Sequence, residues 1–371
     1  MNTSNINFSS LIERESPDSL INHDYPDIKG KIIMVTGAGG SIGTALCNQL
    51  IKQEPSTLIL IENSELNLYN IYELLISAQE KSTNNIKVVA LLASVLDKPH
   101  MENIISHWKP NIIFHAAAYK HVHLVEQNVG AGIKNNVFGT LYTAELAAKY
   151  KTKQFILISS DKAISPVNIM GASKRLAEIL ILSLAHQSLL TTFSVVRFGN
   201  IIGSSGSVVP KFINQINNSK CITLSDSRAT RYFMTADEAV KLLIEITILS
   251  RVSGRIYCFE MGPPVKILNL AERLIALSGK TLRDKSNPAG QIEIKVTGLR
   301  NYEKLHENSV ITENATLTEH PKIYKIEEAV MEYSLLRKTL NRLMREIESH
   351  HSENIKKLLV SAIPEFLQQD G

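Results

Sequence analysis

The chain has 371 residues, 44% hydrophobic and 20% charged, which suits one large domain or two closely joined ones and argues against global disorder. A net charge of +4 gives no reason to expect a nucleic-acid partner, although a local basic pocket for a phosphate-bearing ligand is compatible with it. Cys47, Cys221 and Cys258 form no CxxC pair, the N-terminus has no basic start and apolar run, and no apolar run approaches the roughly 18 residues of a spanning helix, so a soluble cytoplasmic protein without a membrane span is expected.

Residues 1–30 are polar, with Pro17 and Pro26, and read as an N-terminal arm. Lys31–Thr36 is a continuous apolar run of the kind that forms a strand buried on both faces. Gly37-x-x-Gly40-x-x-Gly43 follows at once, and Ile42, Ala45, Leu46 and Leu50 then recur at helical spacing. Strand, glycine triplet and helix in this order predict a turn that lets a dinucleotide's pyrophosphate rest on a helix N-terminus. Leu58–Ile61 reads as the second strand. Glu62 at its end stands where a carboxylate would meet the adenosine ribose hydroxyls, which favours NAD over NADP. Nearby Asn63, Ser64 and Asn67 would still tolerate a phosphate, so both cofactors stay open. A helix over 66–78, strands over 88–92 and 112–115, a long helix over about 131–150, a strand at 155–159, a helix over 169–184 and a strand at 193–198 follow. This alternation predicts an α/β fold with a doubly wound parallel sheet. Past Asn200 the segments shorten, and glycines and prolines multiply. We therefore expect a dinucleotide-binding domain over 31–200, a smaller substrate-binding portion over 201–311 interleaved with it, and a C-terminal helical segment over 312–371. His115, His121 and His123 lack the carboxylate or cysteine spacing of a metal site, and no metal is expected.

Ser160 falls at the carboxyl edge of the fifth strand, where ligands bind in such sheets. Asp161 and Lys162 follow it, and Met170 and Lys174, four apart, share one helix face. The layout resembles a short-chain dehydrogenase active site with methionine at the tyrosine position. A thioether carries no proton, so other groups must. A carboxylic acid at Asp161 could protonate a departing hydroxyl. Lys162 could act as base if desolvation and the neighbouring Lys174 depress its pKa. Elimination chemistry, rather than simple redox, is the resulting expectation.

At these residues the sequence resembles the nucleotide-sugar 4,6-dehydratases of bacterial polysaccharide and glycan biosynthesis, in the capsule and O-antigen branch of the extended short-chain dehydrogenases. The likeness rests on Thr36-Gly37-Ala38-Gly39-Gly40-Ser41-Ile42-Gly43, His115-Ala116-Ala117-Ala118-Tyr119-Lys120-His121-Val122, Asn135-Asn136-Val137-x-Gly139-Thr140, Ser160-Asp161-Lys162-Ala163, Met170-Gly171-Ala172-Ser173-Lys174-Arg175, Arg197-Phe198-Gly199-Asn200 and Arg231-Tyr232-Phe233-Met234-Thr235. It continues through Gly298-Leu299-Arg300 and Glu303-Lys304-Leu305. Methionine at 170 is itself similar to this branch. Two positions depart from the family pattern: Glu62 stands for the usual aspartate, and Asn301-Tyr302 for the usual Pro-Gly. The membrane-spanning N-terminal region of larger relatives is missing, which resembles the short, soluble form.

The resemblance implies a UDP-N-acetylhexosamine substrate, most often UDP-N-acetylglucosamine. It loses water to give a 4-keto-6-deoxy sugar through oxidation at C4, elimination across C5 and C6, and hydride return to C6. A tightly bound NAD or NADP would be recycled each turnover. Its contacts would come from Gly37, Gly39, Gly40, Ser41, Ile42, Gly43, Glu62, Asn63, Ser64, Asn67, Ser94, Val95, Ala116, Ala117, Ala118, Lys120, Asn135 and Lys174. Ser160 would bond the C4 oxygen, Asp161 would protonate the leaving hydroxyl, Lys162 would take the C5 proton and Met170 would line the site. Lys120, His121, Asn200, Val208, Lys211, Arg231, Arg300 and Glu303 would hold the UDP-sugar. The competing readings are a nucleotide-sugar epimerase or reductase, a dehydratase that inverts C5, and a dinucleotide sensor without turnover. Relatives also imply a homo-oligomer, a dimer or hexamer. In such an assembly the helices 133–150 and 169–184 pair across a two-fold axis through apolar positions such as Val137, Leu141, Ala177 and Leu180. The alternative is that the C-terminal helices cover those faces.

Overall fold

A computed structural model describes residues 8–13, 25–80 and 86–366. Six runs rich in isoleucine, valine and leucine form parallel strands: β1 (Ile32–Thr36), β2 (Thr57–Glu62), β3 (Lys87–Leu92), β4 (Ile112–His115), β5 (Gln154–Ile158) and β6 (Thr192–Arg197). They lie in the order β3-β2-β1-β4-β5-β6. The hub is β1, whose Ile33 pairs with Leu58 on one side and Ile112 on the other. Chain direction across the sheet reverses at β1 and β4, and this opens a crevice beyond their carboxyl ends, the usual ligand site in such folds.

The sheet does not stop at residue 200. Arg255–Phe259 lies parallel beside β6, and Ile323–Ile326 and Thr316–Leu317 add two antiparallel strands at that edge. The segment 312–371 is therefore not helical throughout. Its helices, Tyr333–Glu348 and Ser352–Ala362, come after those strands. The smaller portion has its own apolar core, in which Val209, Phe212 and Ile216 meet Leu270 and Leu274. The expected N-terminal arm is tied down at two places. Leu11 and Ile12 pack into the smaller core, and Tyr25 and Ile28 into the main one.

Helix starts follow local chemistry. Ser64, Asp97, Asn168 and Thr235 each accept a hydrogen bond from a first-turn amide of the helix that follows. The helices Ser41–Leu50 and Val208–Asn217 have no such side-chain cap. Both begin at residues that border the crevice. The long helix expected over 131–150 is Val129–Ile133 and Gly139–Lys149, joined by a π-helical turn at Lys134–Phe138 that turns Asn135 and Asn136 inward.

The two faces expected to pair between copies are covered within the chain. Leu336, Leu340, Leu343 and Ile347 form one stripe of the first C-terminal helix, with Ile355, Leu358 and Leu359 on the second. They join the core cluster that already contains Val137, Leu141, Leu180 and Ile181. An amphipathic helix must bury its stripe, and here it does so on Ile169–Ala185. Among the described residues, no helix is long and apolar enough to cross a membrane.

Candidate active site

The crevice is a cleft of about 1180 Å³ between the strand ends and the smaller portion. That lies above the roughly 300–1,000 Å³ of a pocket for one small ligand.

Its floor begins at Gly37. This residue has φ 66°, and a Cβ there would lie 2.8 Å from the Ala117 backbone, so only glycine lets the ends of β1 and β4 approach this closely. Gly37, Gly39, Gly40, Ser41, Ile42, Gly43, Asn67, Ala116, Ala118, Lys120 and Lys174 border the cleft. Other expected cofactor residues stand behind this layer. Val95 is buried against Gly139, Ser94 accepts the Leu96 amide, Asn135 donates to Asn136, and Ser64 caps its helix. Ala117 supports Gly37 and is not on the cleft wall, and Asn63 is exposed. Glu62 is buried. One carboxylate oxygen accepts the Gly39 amide (3.0 Å), and the other accepts those of Asn63 (2.9 Å) and Ser64 (3.1 Å). In this geometry its carboxylate braces the glycine turn.

Beyond β5 the chain enters the turn Asp161–Ala163, capped by Ser160. Ser160 Oγ donates to Asp161 Oδ1 (2.7 Å). Lys162 Nζ donates to the same oxygen (3.1 Å) and to Asn200 Oδ1 (3.1 Å), and lies 3.5 Å from Glu307 Oε1. Asn200 is in turn anchored to the Tyr232 carbonyl. Met170 is 2% exposed, part core and part cleft wall. Asn136 reaches both the Tyr119 carbonyl and Ser173 Oγ, which ties the π turn to the helix that carries Lys174.

The electrostatics correct one expectation. Burial pushes Lys162 down, but Asp161 and Glu307 outweigh it and hold the ammonium above its ordinary value. Lys174, by contrast, is depressed, as burial also depresses Lys120, Lys211 and Lys304. Burial takes Lys174 down to about 8 against the pull of Glu178, while Nζ donates to the Ile158 carbonyl (3.0 Å). Lys174 has no carboxylate at bonding distance, whereas Lys162 is flanked by two. His115 is likewise a framework residue. It bonds Thr36 and Thr140 through its two nitrogens, and burial lowers it to about 3.

Of the expected substrate residues, Lys120, His121, Asn200, Val208, Lys211, Arg231 and Glu303 border the cleft. Arg300 does not; it is exposed and bonds the Tyr302 hydroxyl (2.8 Å). Arg231 is largely committed. It donates to the carbonyls of Thr230, Leu305 and Lys304 and sits 3.4 Å from Glu307, so it pins the segment 304–307 rather than presenting a free fork. Lys304, Glu307 and Ser207 also border the cleft and were not expected. Among the described residues, six buried side-chain polar atoms lack a partner: three are on residues of the cleft wall, Ser207 Oγ, Glu303 Oε2 and Glu307 Oε2, and a fourth, Asp161 Oδ2, is fully buried directly behind Ser160 and Lys162 and is not itself on the wall. Buried polar groups are ordinarily paired, so this concentration marks a place built for polar ligands.

A family model described as "Polysaccharide biosynthesis protein" matches residues 33–328. The capsular polysaccharide biosynthesis protein CapD of Staphylococcus aureus is 42% identical over 281 residues, 76% of this chain and 45% of that protein. The chain thus spans about half the length of such curated relatives. The inverting UDP-N-acetylglucosamine 4,6-dehydratase of Campylobacter jejuni is 30% identical over 78% of this chain and 80% of its own length. A UDP-glucose 4-epimerase of Rickettsia rickettsii is 28% identical over 91% of this chain and 95% of its own. Among solved structures, Pen from Bacillus thuringiensis superposes with a TM-score of 0.70 at 28% identity, covering 85% of this chain and 98% of that one.

Proposed function

The chain belongs to the polysaccharide biosynthesis protein family, and within it we propose an NAD-dependent dehydration of a UDP-N-acetylhexosamine, UDP-N-acetylglucosamine first, at C4 to C6. The observation that carries this reading is the Ser160–Asp161–Lys162 cluster, with Met170 where a proton-carrying tyrosine would stand. A simple C4 redox exchange needs one proton carrier beside the C4 hydroxyl. An elimination needs an acid and a base together, and the only adjacent acid–base pair in this cluster is Asp161 with Lys162.

The cleft fits a nicotinamide dinucleotide. The Gly37 turn leaves no room for a side chain, the helix Ser41–Leu50 has uncapped first-turn amides, and Lys174 stands at the far side. When bound, such a cofactor supplies the acceptor, and later the donor, of one hydride. Glu62, the carboxylate that braces the glycine turn from behind, favours NAD because it sets negative charge at the end of β2, where a 2′-phosphate would add more. We further propose that the cofactor stays bound between turnovers.

The chain's own groups carry the protons. In the free site Lys162 is an ammonium. Transfer of one proton from Nζ to Asp161 leaves a neutral amine and a carboxylic acid, with no change in total charge. The amine then takes the C5 proton, and Asp161 protonates the departing C6 hydroxyl. Water leaves, and the original pair of ions is restored; oxidation at C4 has released the hydroxyl proton to solvent, and hydride return to C6 takes one proton back at C5, so the cycle closes. The unpartnered Asp161 Oδ2 is the atom we assign to the leaving hydroxyl. A second uncapped helix start, at Ser207 and Val208 beside Lys211, suits the UDP diphosphate.

Incubation with UDP-N-acetylglucosamine followed by NMR of the sugar tests the reading. The expected product has a C6 methyl and a C4 ketone, and its C5 configuration is read from the same spectrum. A C4-epimerised sugar with its C6 hydroxyl intact would refute dehydration and favour the activity named for the Rickettsia relative.

A further inference from the structure

We infer that Glu307 is a positioning residue that fixes the protonation of Lys162 in the free site, and so sets how readily that lysine becomes the base. The inference rests on the dehydratase reading only for the word base; the geometry stands without it.

An ammonium has three protons to place. Around Lys162 Nζ stand three acceptors: Asp161 Oδ1 at 3.1 Å, Asn200 Oδ1 at 3.1 Å and Glu307 Oε1 at 3.5 Å. The set is complete for a cation and over-complete for an amine, which has two protons and a lone pair. Before Lys162 can accept a proton from carbon, it must give up one proton and one of these contacts. The Glu307 contact is the longest, and Asn200 is held in place by Tyr232.

Glu307 itself is fixed. Its side chain is 6% exposed, and Arg231 Nε lies 3.4 Å from the oxygen that faces Lys162. Arg231 cannot follow a departing carboxylate, because its other donors hold the carbonyls of Thr230, Lys304 and Leu305. The charged groups facing Lys162 are Asp161 and Glu307 as anions, and Arg231 and Lys304 as opposing cations. Removal of Glu307 deletes one of two anions and leaves both cations, so the amine form gains. The second Glu307 oxygen, buried and unpartnered, gives an arriving sugar hydroxyl a place to bond, which withdraws charge from the oxygen facing Lys162 without moving the carboxylate.

The test reads Lys162 directly and needs no turnover. Trace acetylation with acetic anhydride across a pH series, followed by peptide mass spectrometry, gives the midpoint at which Lys162 becomes reactive. In the wild-type protein that midpoint should lie above that of an ordinary lysine despite burial. In Glu307→Gln it should fall by about one unit or more, and Glu307→Asp, which keeps the charge, should restore most of the shift. With substrate, the acid limb of turnover in Glu307→Gln should move to lower pH by a similar interval. A wild-type midpoint below the ordinary lysine value overturns the inference even if no variant folds, and so does an unchanged midpoint in a folded Glu307→Gln. If the midpoint moves as expected but wild-type protein forms no 4-keto sugar, the dehydratase reading fails and the positioning role stands.

Discussion

Asp161→Asn separates the acid from the base. The side chain is fully buried, with one oxygen accepting from Ser160 (2.7 Å) and Lys162 (3.1 Å) and the other without a partner. Asparagine keeps an oxygen for both donors and nearly the same volume. Lys162 retains Asn200 and Glu307. Stability should therefore stay within about 1 kcal/mol of wild type, the scale of one net hydrogen bond, as read by chemical denaturation. Turnover should fall by about 10²–10⁴-fold, the usual worth of a positioned general acid, or roughly 2.7–5.4 kcal/mol of barrier. The step lost is departure of the C6 hydroxyl, whereas Lys162, relieved of one of the two anions that hold its proton, can lose that proton to solvent and still take the one from C5. In D₂O, NMR should show recovered substrate with deuterium at C5 and its C6 hydroxyl in place. Dehydration at close to the wild-type rate in a folded variant would refute the acid role. Loss of C5 exchange along with dehydration would show that Asp161 acts on the whole site and not on the leaving group.

Met170→Leu conserves volume at a 2% exposed position and should leave most activity, measured by the same product assay. Gly171→Ala should not, because a Cβ there would lie 2.3 Å from the Lys162 carbonyl oxygen; we expect a loss of about 1–3 kcal/mol in stability and a lower kcat. Lys174→Met should melt at a higher temperature than wild type at pH 7. With its folded pKa lowered to about 8, the buried lysine binds its proton less well folded than unfolded, so it destabilises the fold at low pH and that penalty fades as pH rises from about 8 towards the ordinary lysine range. The stability gap between Lys174→Met and wild type should therefore narrow in alkali, and a gap independent of pH would contradict the assignment.

The parts of the molecule that sequence reveals are those whose causes are local. The run Ile32–Thr36, the glycine triplet and the helix after it stand within about twenty residues and constrain one another, so both fold class and crevice follow. Asp161 and Lys162 are legible for the same reason, since a strand end and a turn place them. What escapes is set at a distance. Lys162 meets Glu307 across 145 positions (307 − 162), and the sign of its pKa depends on that partner as well as on adjacent Asp161. The helix Lys98–Trp108 was missed because its apolar residues are few, although Asp97 and Pro99 marked its start. Arg-rich recognition of a diphosphate was a sound expectation for Arg231 as a residue type. Its donors are turned onto the backbone carbonyls of Lys304 and Leu305, over seventy residues away, which its own neighbourhood in the chain does not reveal.

The late return of the chain to the sheet has a consequence for synthesis on the ribosome. A strand from 255–259 completes the parallel set, strands from 316–326 close its edge, and the helices from 333 cover its flank. Until they emerge, β6 is an unpaired edge and the leucine and isoleucine face of Ile169–Ala185 lacks its cover. Exposed edges and apolar faces are what nascent chains aggregate through. This fold should therefore gain its stability in one late step, once the chain through about residue 362 has emerged. Shortening its tail would be read first as poor yield of soluble chain, before any defect in the cleft became measurable.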